Sequence, residues 1–189
     1  MKRNILILGF VFLAIIAVVV MNQTNKQGTQ QGATLGTAQG DVQLPESPVK
    51  GAMAPRFELA SLDGAEQYQV GGERDKLLII NFWAAWCGPC EEEAPDLVDI
   101  YNEHQGQLDI YAVNATNYDK LREAKDFVKE QGFEFPVLTD AKGTAGDLYK
   151  VFSYPTSFIV NREGIVVERI EGIISRKQWE KYLDNALAS

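Results

Sequence analysis

The strongest constraint on the fold is a buried strand that runs directly into a Cys-x-x-Cys motif. Leu77 to Trp83, LLIINFW, is nearly all apolar, which is typical of a strand covered on both faces in a parallel or mixed sheet. The chain then turns through Trp86-Cys87-Gly88-Pro89-Cys90, and apolar residues at helical spacing predict a helix from about Cys87 to Glu103. A helix that follows a buried strand favours an α/β domain.

The chain after residue 50 continues this alternation of strands and helices. Asp63-Gly64 is a turn signal between two short stretches, which predicts a β-hairpin in front of the central sheet. Ser175, with Gln178 three residues later, forms a capping box that starts the last helix. The pattern predicts an α/β fold, with a mixed central sheet flanked by helices and an N-terminal β-hairpin extension. Further strands are predicted at about Leu108–Asn114, Phe135–Thr139, Ser157–Asn161 and Val166–Glu171, and further helices at about Asp119–Gln131 and Thr144–Phe152.

The N-terminus carries an uncharged apolar run of 17 residues, Ile5 to Met21, behind two basic residues. As a helix it would reach about 25 Å, enough to cross a hydrocarbon core. No small-x-small cleavage site follows it, so an uncleaved membrane anchor over residues 1–21 is favoured over a cleaved signal peptide. The basic residues predict a single-pass protein of the cell membrane, with its C-terminal domain on the extracytoplasmic side. Residues 22–51 are predicted to be a flexible tether, and residues 52–189 the folded domain.

The two cysteines, Cys87 and Cys90, are the only ones in the chain and permit three interpretations. A zinc site would need two further ligands, and the chain has a single histidine, His104. A structural disulfide across so short a loop would remove little entropy from the unfolded state. A redox pair fits best, because a thiolate at the start of a helix is stabilised and a cysteine one turn later can resolve a mixed disulfide.

Three segments carry a family resemblance: Trp86-Cys87-Gly88-Pro89-Cys90, then Ala94-Pro95, and Tyr154-Pro155-Thr156 ahead of a strand. The order and spacing of these segments within residues 52–189 resemble those of thioredoxin-fold proteins. The stretches APRFEL, FPVLTD and YPTSFIVNREGIVV, together with the N-terminal run, look more like the membrane-anchored TlpA/ResA-like branch of bacterial extracytoplasmic thiol–disulfide oxidoreductases than like a cytoplasmic thioredoxin.

The resemblance implies a role for individual residues. Cys87 would be the exposed attacking thiol, and Cys90 the resolving thiol of a redox-active disulfide. Pro155 would follow a cis peptide bond and place backbone where an extended substrate can pair with it. The residues implied to contact the substrate are Trp86, Gly88, Pro89, Tyr154, Pro155 and Thr156.

Three glutamates follow the motif, and the resemblance separates their roles. Cytoplasmic thioredoxins have a buried aspartate six residues before the first cysteine, where this chain has Asn81. ResA-like proteins have a glutamate three residues after the second cysteine, and that position here is Glu93. Since a helix turns about 100° per residue, we expect Glu91 and Glu92 to face solvent at the positive helix end. Glu93 is predicted to be catalytic, moving protons to and from the thiols and raising their pKa.

The resulting functional prediction is a reductase of disulfides in exported proteins. The resemblance implies apocytochrome c as substrate, hence a role in cytochrome c biogenesis, and an integral-membrane thiol protein as electron donor.

Gly88-Pro89 matches thioredoxin, whereas well-known ResA-like members have an acidic residue before the proline. The alternatives are an oxidant or isomerase of exported proteins, or a non-enzymatic module that binds Cu(I) through the two thiolates. No cofactor, no resident metal and, given the net charge of −8, no nucleic-acid partner are predicted.

Overall fold

The computed structural model describes residues 44–188. The predicted anchor at residues 1–21 and most of the predicted tether lie outside this range. Within it, no helix is long and apolar enough to cross a membrane. The last residues of the predicted tether contact the domain, because the Gly51 N–H donates to the Val166 carbonyl at 2.8 Å.

A mixed sheet of five strands forms the centre of the domain, as predicted. Its strand order is β5-β4-β3-β6-β7, in which β3 pairs in parallel with β4, β4 in parallel with β5, and β6 antiparallel with both β3 and β7. The predicted N-terminal hairpin is the antiparallel pair β1 and β2. In chain order the strands are β1 (Phe57–Ala60), β2 (Gln67–Val70), β3 (Leu77–Trp83), β4 (Leu108–Asn114), β5 (Val137–Thr139), β6 (Thr156–Val160) and β7 (Val166–Glu171).

Helices cover both faces of this sheet, and their ends follow local sequence signals. Gly132 stops the second helix with a left-handed φ of 70°, and the Ser175 hydroxyl caps the last helix by accepting from the Gln178 N–H. The helices are α1 (Gly88–Glu103), α2 (Leu121–Gln131), α3 (Thr144–Leu148) and α4 (Arg176–Leu187).

Two predicted helix boundaries are wrong. The helix predicted from Thr144 to Phe152 ends at Leu148, because Lys150 has a left-handed φ of 51° and the chain turns there into an exposed loop. The helix predicted to start at Asp119 begins at Leu121, because the Asp119 side chain bonds to other parts of the chain. As a result, the Asp119 side chain bonds to the turn before Cys87, and Phe152 lies in a loop near Trp86.

The side chains of β3 divide between two hydrophobic layers, one on each face of the sheet. All seven residues of β3 are buried. Ile79 and Trp83 pack in the layer that holds both cysteines and Trp179 of α4. Phe82 packs on the opposite face with Tyr149 and Phe158, and the Tyr149 hydroxyl donates to the Pro55 carbonyl at 2.8 Å. The cysteine motif therefore follows a strand that is held rigidly from both sides.

Candidate active site

Cys87 and Cys90 form a disulfide at the junction between β3 and α1. Cys87 is the N-cap of α1, and its Sγ lies 3.2 Å from the backbone N–H of Cys90, which donates to it. The residues are 5% and 4% exposed, so the expected exposure of Cys87 is wrong for this disulfide form. The reason is packing, since both sulfur-bearing residues belong to the apolar layer on one face of the sheet. Gly88 and Pro89, the two residues between the cysteines, are exposed.

Glu93 lies one helical turn after Cys90 and is buried, with an exposed fraction of 1%. Its Oε2 accepts a hydrogen bond from Asn81 Nδ2 at 2.9 Å, while Oε1 is buried with no hydrogen-bond partner among residues 44–188. Burial raises the pKa of Glu93 to about 7, the Asn81 hydrogen bond opposes the rise, and nearby Asp96 adds to it. Glu91 and Glu92 are exposed, as expected for acids at the start of a helix.

Asn81 was recognised from the sequence only as the position of a missing acid, yet it holds Glu93 in place. Its Nδ2 donates to Glu93 Oε2 and also to the Ser157 hydroxyl at 2.9 Å. Asn81 and Ser157 are directly paired across β3 and β6. A polar residue in the middle of an otherwise apolar strand was the available signal, because a buried amide requires partners.

The Tyr154–Pro155 peptide bond is cis, as the resemblance implied. Pro155 is buried, and Thr156 begins β6 opposite Phe82 of β3. The rings of Tyr154 and Trp86 meet edge to face with centroids 5.9 Å apart, so the structure brings these two predicted substrate-contact residues together. The backbone N–H and C=O of Tyr154 make no hydrogen bond within residues 44–188.

The loop between β4 and α2 is fastened to the active-site turn, which sequence reasoning missed. Asp119 Oδ2 accepts from the Ala85 N–H at 2.6 Å and from Asn114 Nδ2 at 2.8 Å. The Trp86 indole N–H donates to the Tyr118 carbonyl at 3.0 Å. These bonds fix the residues that immediately precede Cys87. The only sequence signal was Asp119 itself, which was interpreted as a helix start.

In the part of the chain that the structure describes, no three or more His, Cys, Asp or Glu side chains are grouped so that they could hold a metal ion. What the site does contain is a disulfide at a helix N-terminus, a buried carboxyl one turn later, and a cis proline at the start of the neighbouring strand. A dithiol–disulfide pair in this position can exchange electrons with another disulfide through a mixed disulfide.

The fold and this site define a thioredoxin-fold thiol–disulfide oxidoreductase. The chain belongs to the AhpC/TSA family, whose model matches residues 50–169.

Individual relatives support the same class. The thiol-disulfide oxidoreductase ResA of Bacillus cereus is 32% identical over 184 residues, which cover 97% of each chain. The thioredoxin-like protein YneN of Bacillus subtilis is 35% identical over 136 residues, which cover 71% of this chain and 79% of YneN. Among solved structures, StoA from Bacillus subtilis aligns with a TM-score of 0.60 at 26% identity, over 68% of this chain and 96% of StoA.

Proposed function

We propose that this protein is a membrane-tethered reductase that acts outside the cytoplasm on disulfides of exported proteins, with apocytochrome c as its substrate. The observation that carries the direction of the reaction is the buried carboxyl of Glu93 beside the cysteine pair. The substrate and the location rest on the resemblance to ResA-like proteins and on the apolar N-terminal run.

The reaction starts from the dithiol form and proceeds in two exchanges. The Cys87 thiolate attacks one sulfur of the substrate disulfide, which forms a mixed disulfide and releases the other substrate sulfur as a thiolate. Cys90, after losing its proton, attacks Cys87 Sγ, which forms the Cys87–Cys90 disulfide and releases the second substrate thiol. The substrate gains two electrons and two protons, and the cysteine pair loses them.

Glu93 is placed to handle the protons of these exchanges. It lies on the same helix as Cys90, one turn further on, and both are buried. With a pKa raised to about 7 by burial, its carboxyl is close to half-protonated at neutral pH, which suits a group that both accepts and donates protons. Since the thiols and Glu93 would titrate together, the measured pKa values belong to the group as a whole.

The same carboxyl favours the reductase direction. A thiolate beside a carboxylate is disfavoured by like-charge repulsion, so Glu93 raises the thiol pKa. In a strong oxidant the dithiol form is stabilised and holds its electrons. A dithiol without such a stabilised thiolate gives up its electrons more readily. In an oxidising compartment the disulfide must then be reduced again, and an integral-membrane thiol protein is the donor that fits a tethered domain.

The binding side of the reaction is supported by the cis-proline loop. The unpaired backbone N–H and C=O of Tyr154 offer an extended substrate segment one donor and one acceptor beside Trp86, the residue that precedes Cys87. Pro155 and Thr156 hold this backbone at the start of β6, and Trp86 flanks it.

Trapping the mixed disulfide tests the substrate. Cys90→Ser keeps the attacking thiol and removes the resolving one, so exported substrates should accumulate on Cys87 in cells. Cys87→Ser is the matched control, because it keeps a single buried thiol but not the attacking one. We expect apocytochrome c to be recovered with Cys90→Ser and not with Cys87→Ser. The substrate assignment is wrong if apocytochrome c is absent from the trapped species.

The role of Glu93 is tested by the pH dependence of thiol alkylation. Glu93→Gln should lower the apparent thiol pKa values and slow disulfide exchange, whereas Glu92→Gln, which alters an exposed neighbour, should do neither. An alkylation profile that is identical in wild type and Glu93→Gln would remove Glu93 from the mechanism.

A further inference from the structure

A groove of about 510 Å³ opens beside Trp86, the residue that precedes Cys87, and is lined by aromatic and acidic side chains. Phe152, Tyr118 and Trp86 line it and are 92%, 71% and 58% exposed. No other large hydrophobic residue of residues 44–188 is more than 48% exposed. The three most exposed large hydrophobic side chains of the described domain therefore meet in one place, which marks an interaction site.

The Trp86 side chain and the loops that carry Tyr118 and Phe152 are held in position before any partner arrives. The Trp86 indole donates to the Tyr118 carbonyl at 3.0 Å, and the Trp86 ring meets that of Tyr154 edge to face. The loop that carries Phe152 is fixed at its base by Arg169, whose guanidinium donates to the carbonyls of Tyr149 at 3.0 Å and Lys150 at 2.9 Å. A preformed groove binds at a lower entropic cost than a loop that must first be ordered.

The groove is also negatively charged. Asp140 and Asp147 line it, and none of the described lining residues is basic. The Asp147 carboxylate is exposed and has no hydrogen bond or ion pair within residues 44–188, whereas Asp140 Oδ2 is buried and accepts from the Gly146 N–H at 2.8 Å. Burial raises the pKa of the Tyr154 phenol, and Tyr118, Asp140 and Asp147 raise it further, so the negative field reaches the aromatic wall.

We propose that this aromatic–acidic groove selects substrates in which an aromatic side chain and a Lys or Arg lie next to the disulfide. The aromatic side chain would pack against Phe152 and Tyr118, and the cation would lie between the exposed Asp147 carboxylate and the electron-rich ring faces. This inference rests on the proposed function, since it names the substrate segment that the reductase recognises. Its position beside Trp86 places the bound segment within reach of the disulfide.

Three disulfide peptides test the selectivity. The first carries Phe and Lys next to a Cys-x-x-Cys disulfide, the second replaces Lys by Glu, and the third replaces Phe by Ser. The full chain, reduced and held in a neutral detergent, is mixed with each peptide, and the rate constant for peptide reduction is measured. Reversing a unit charge about 6 Å from one carboxylate changes a rate about tenfold even at the dielectric constant of water, so the Lys peptide should react about tenfold faster than the Glu peptide at low salt.

Matched variants assign this selectivity to the groove. Asp147→Asn removes the carboxylate on which this estimate rests and should bring the Lys-to-Glu ratio close to one, while Asp99→Asn, which alters an exposed aspartate on α1, should leave the ratio unchanged. Phe152→Ser should reduce the Phe-to-Ser ratio about fivefold, while Val49→Ser should not. Each ratio is measured within one variant, so changes in intrinsic thiol reactivity cancel.

The outcomes separate the two proposals. Reduction of all three peptides at equal rates, or equal ratios in Asp147→Asn and Asp99→Asn, would overturn the selectivity and leave the reductase function standing. Failure of the wild-type dithiol to reduce any of the peptides would overturn the proposed function, and the selectivity with it.

Discussion

Replacing Glu93 by Gln should remove a pH dependence from the stability of the oxidised protein. The Glu93 residue is 1% exposed, one of its carboxyl oxygens is unpaired within the described residues, and burial raises its pKa from 4.5 to about 7. Gln has nearly the same shape and carries no titrating proton. The oxidised form is the one to use because its cysteines are joined and do not titrate.

The direction of the effect follows from proton binding. In the folded state Glu93 keeps its proton up to about pH 7, whereas in the unfolded state it releases the proton near its ordinary value of 4.5. The folded state therefore binds more protons between these values, so its stability falls as the pH rises through this window. A shift from 4.5 to about 7 corresponds to about 3 kcal/mol, which is present in full below pH 4.5 and lost above pH 7.

Urea unfolding of residues 44–189 at several pH values between 4.5 and 8 measures this contribution. The difference in unfolding free energy between wild type and Glu93→Gln isolates Glu93, because the other carboxyl groups contribute equally to both proteins. Glu92→Gln is the control, since that side chain is exposed. Relative to Glu93→Gln, wild type should lose about 3 kcal/mol across the window. A difference that stays constant with pH would refute the conclusion that burial raises the pKa of Glu93.

Two further substitutions test the contacts around the cysteine motif. Asn81→Ala removes the hydrogen bond that holds down the pKa of Glu93, so the carboxyl should titrate at a higher pH by ¹³C NMR, and the loss of a buried donor should destabilise the domain by about 1–3 kcal/mol. Asp119→Ala leaves the Ala85 N–H and Asn114 without their acceptor and should cost about 1–3 kcal/mol in urea unfolding, whereas Asp99→Ala on an exposed helix face should cost under about 0.5 kcal/mol.

Much of the fold could be predicted because its signals are local. The apolar run of β3 predicted a strand covered on both faces, and the strand–motif–helix succession placed Cys87 at a helix start. The helical period, together with the resemblance to ResA-like proteins, separated Glu93 from its exposed neighbours Glu91 and Glu92. In each case the residues concerned lie close together in the sequence.

The contacts that complete the site could not be predicted in the same way, because they join residues far apart in the chain. Asn81 meets Ser157 through the pairing of β3 with β6, and Asp119 meets Ala85 through the end of β4. Neither pairing is encoded locally. The turn that ends α3 is similar, because Arg169 of the distant strand β7 donates to the carbonyls of Tyr149 and Lys150 there. That end is what exposes Phe152 beside the motif.

The reduction potential of the Cys87–Cys90 pair tests the central claim most directly. The full chain is equilibrated with thiol–disulfide buffers of known potential, and the fraction of disulfide is read by alkylation and mass spectrometry. A reductase requires a potential near that of thioredoxin, about −270 mV, or lower. A value near about −120 mV, as in strong oxidants, would contradict the account and make the protein an oxidant of its substrates.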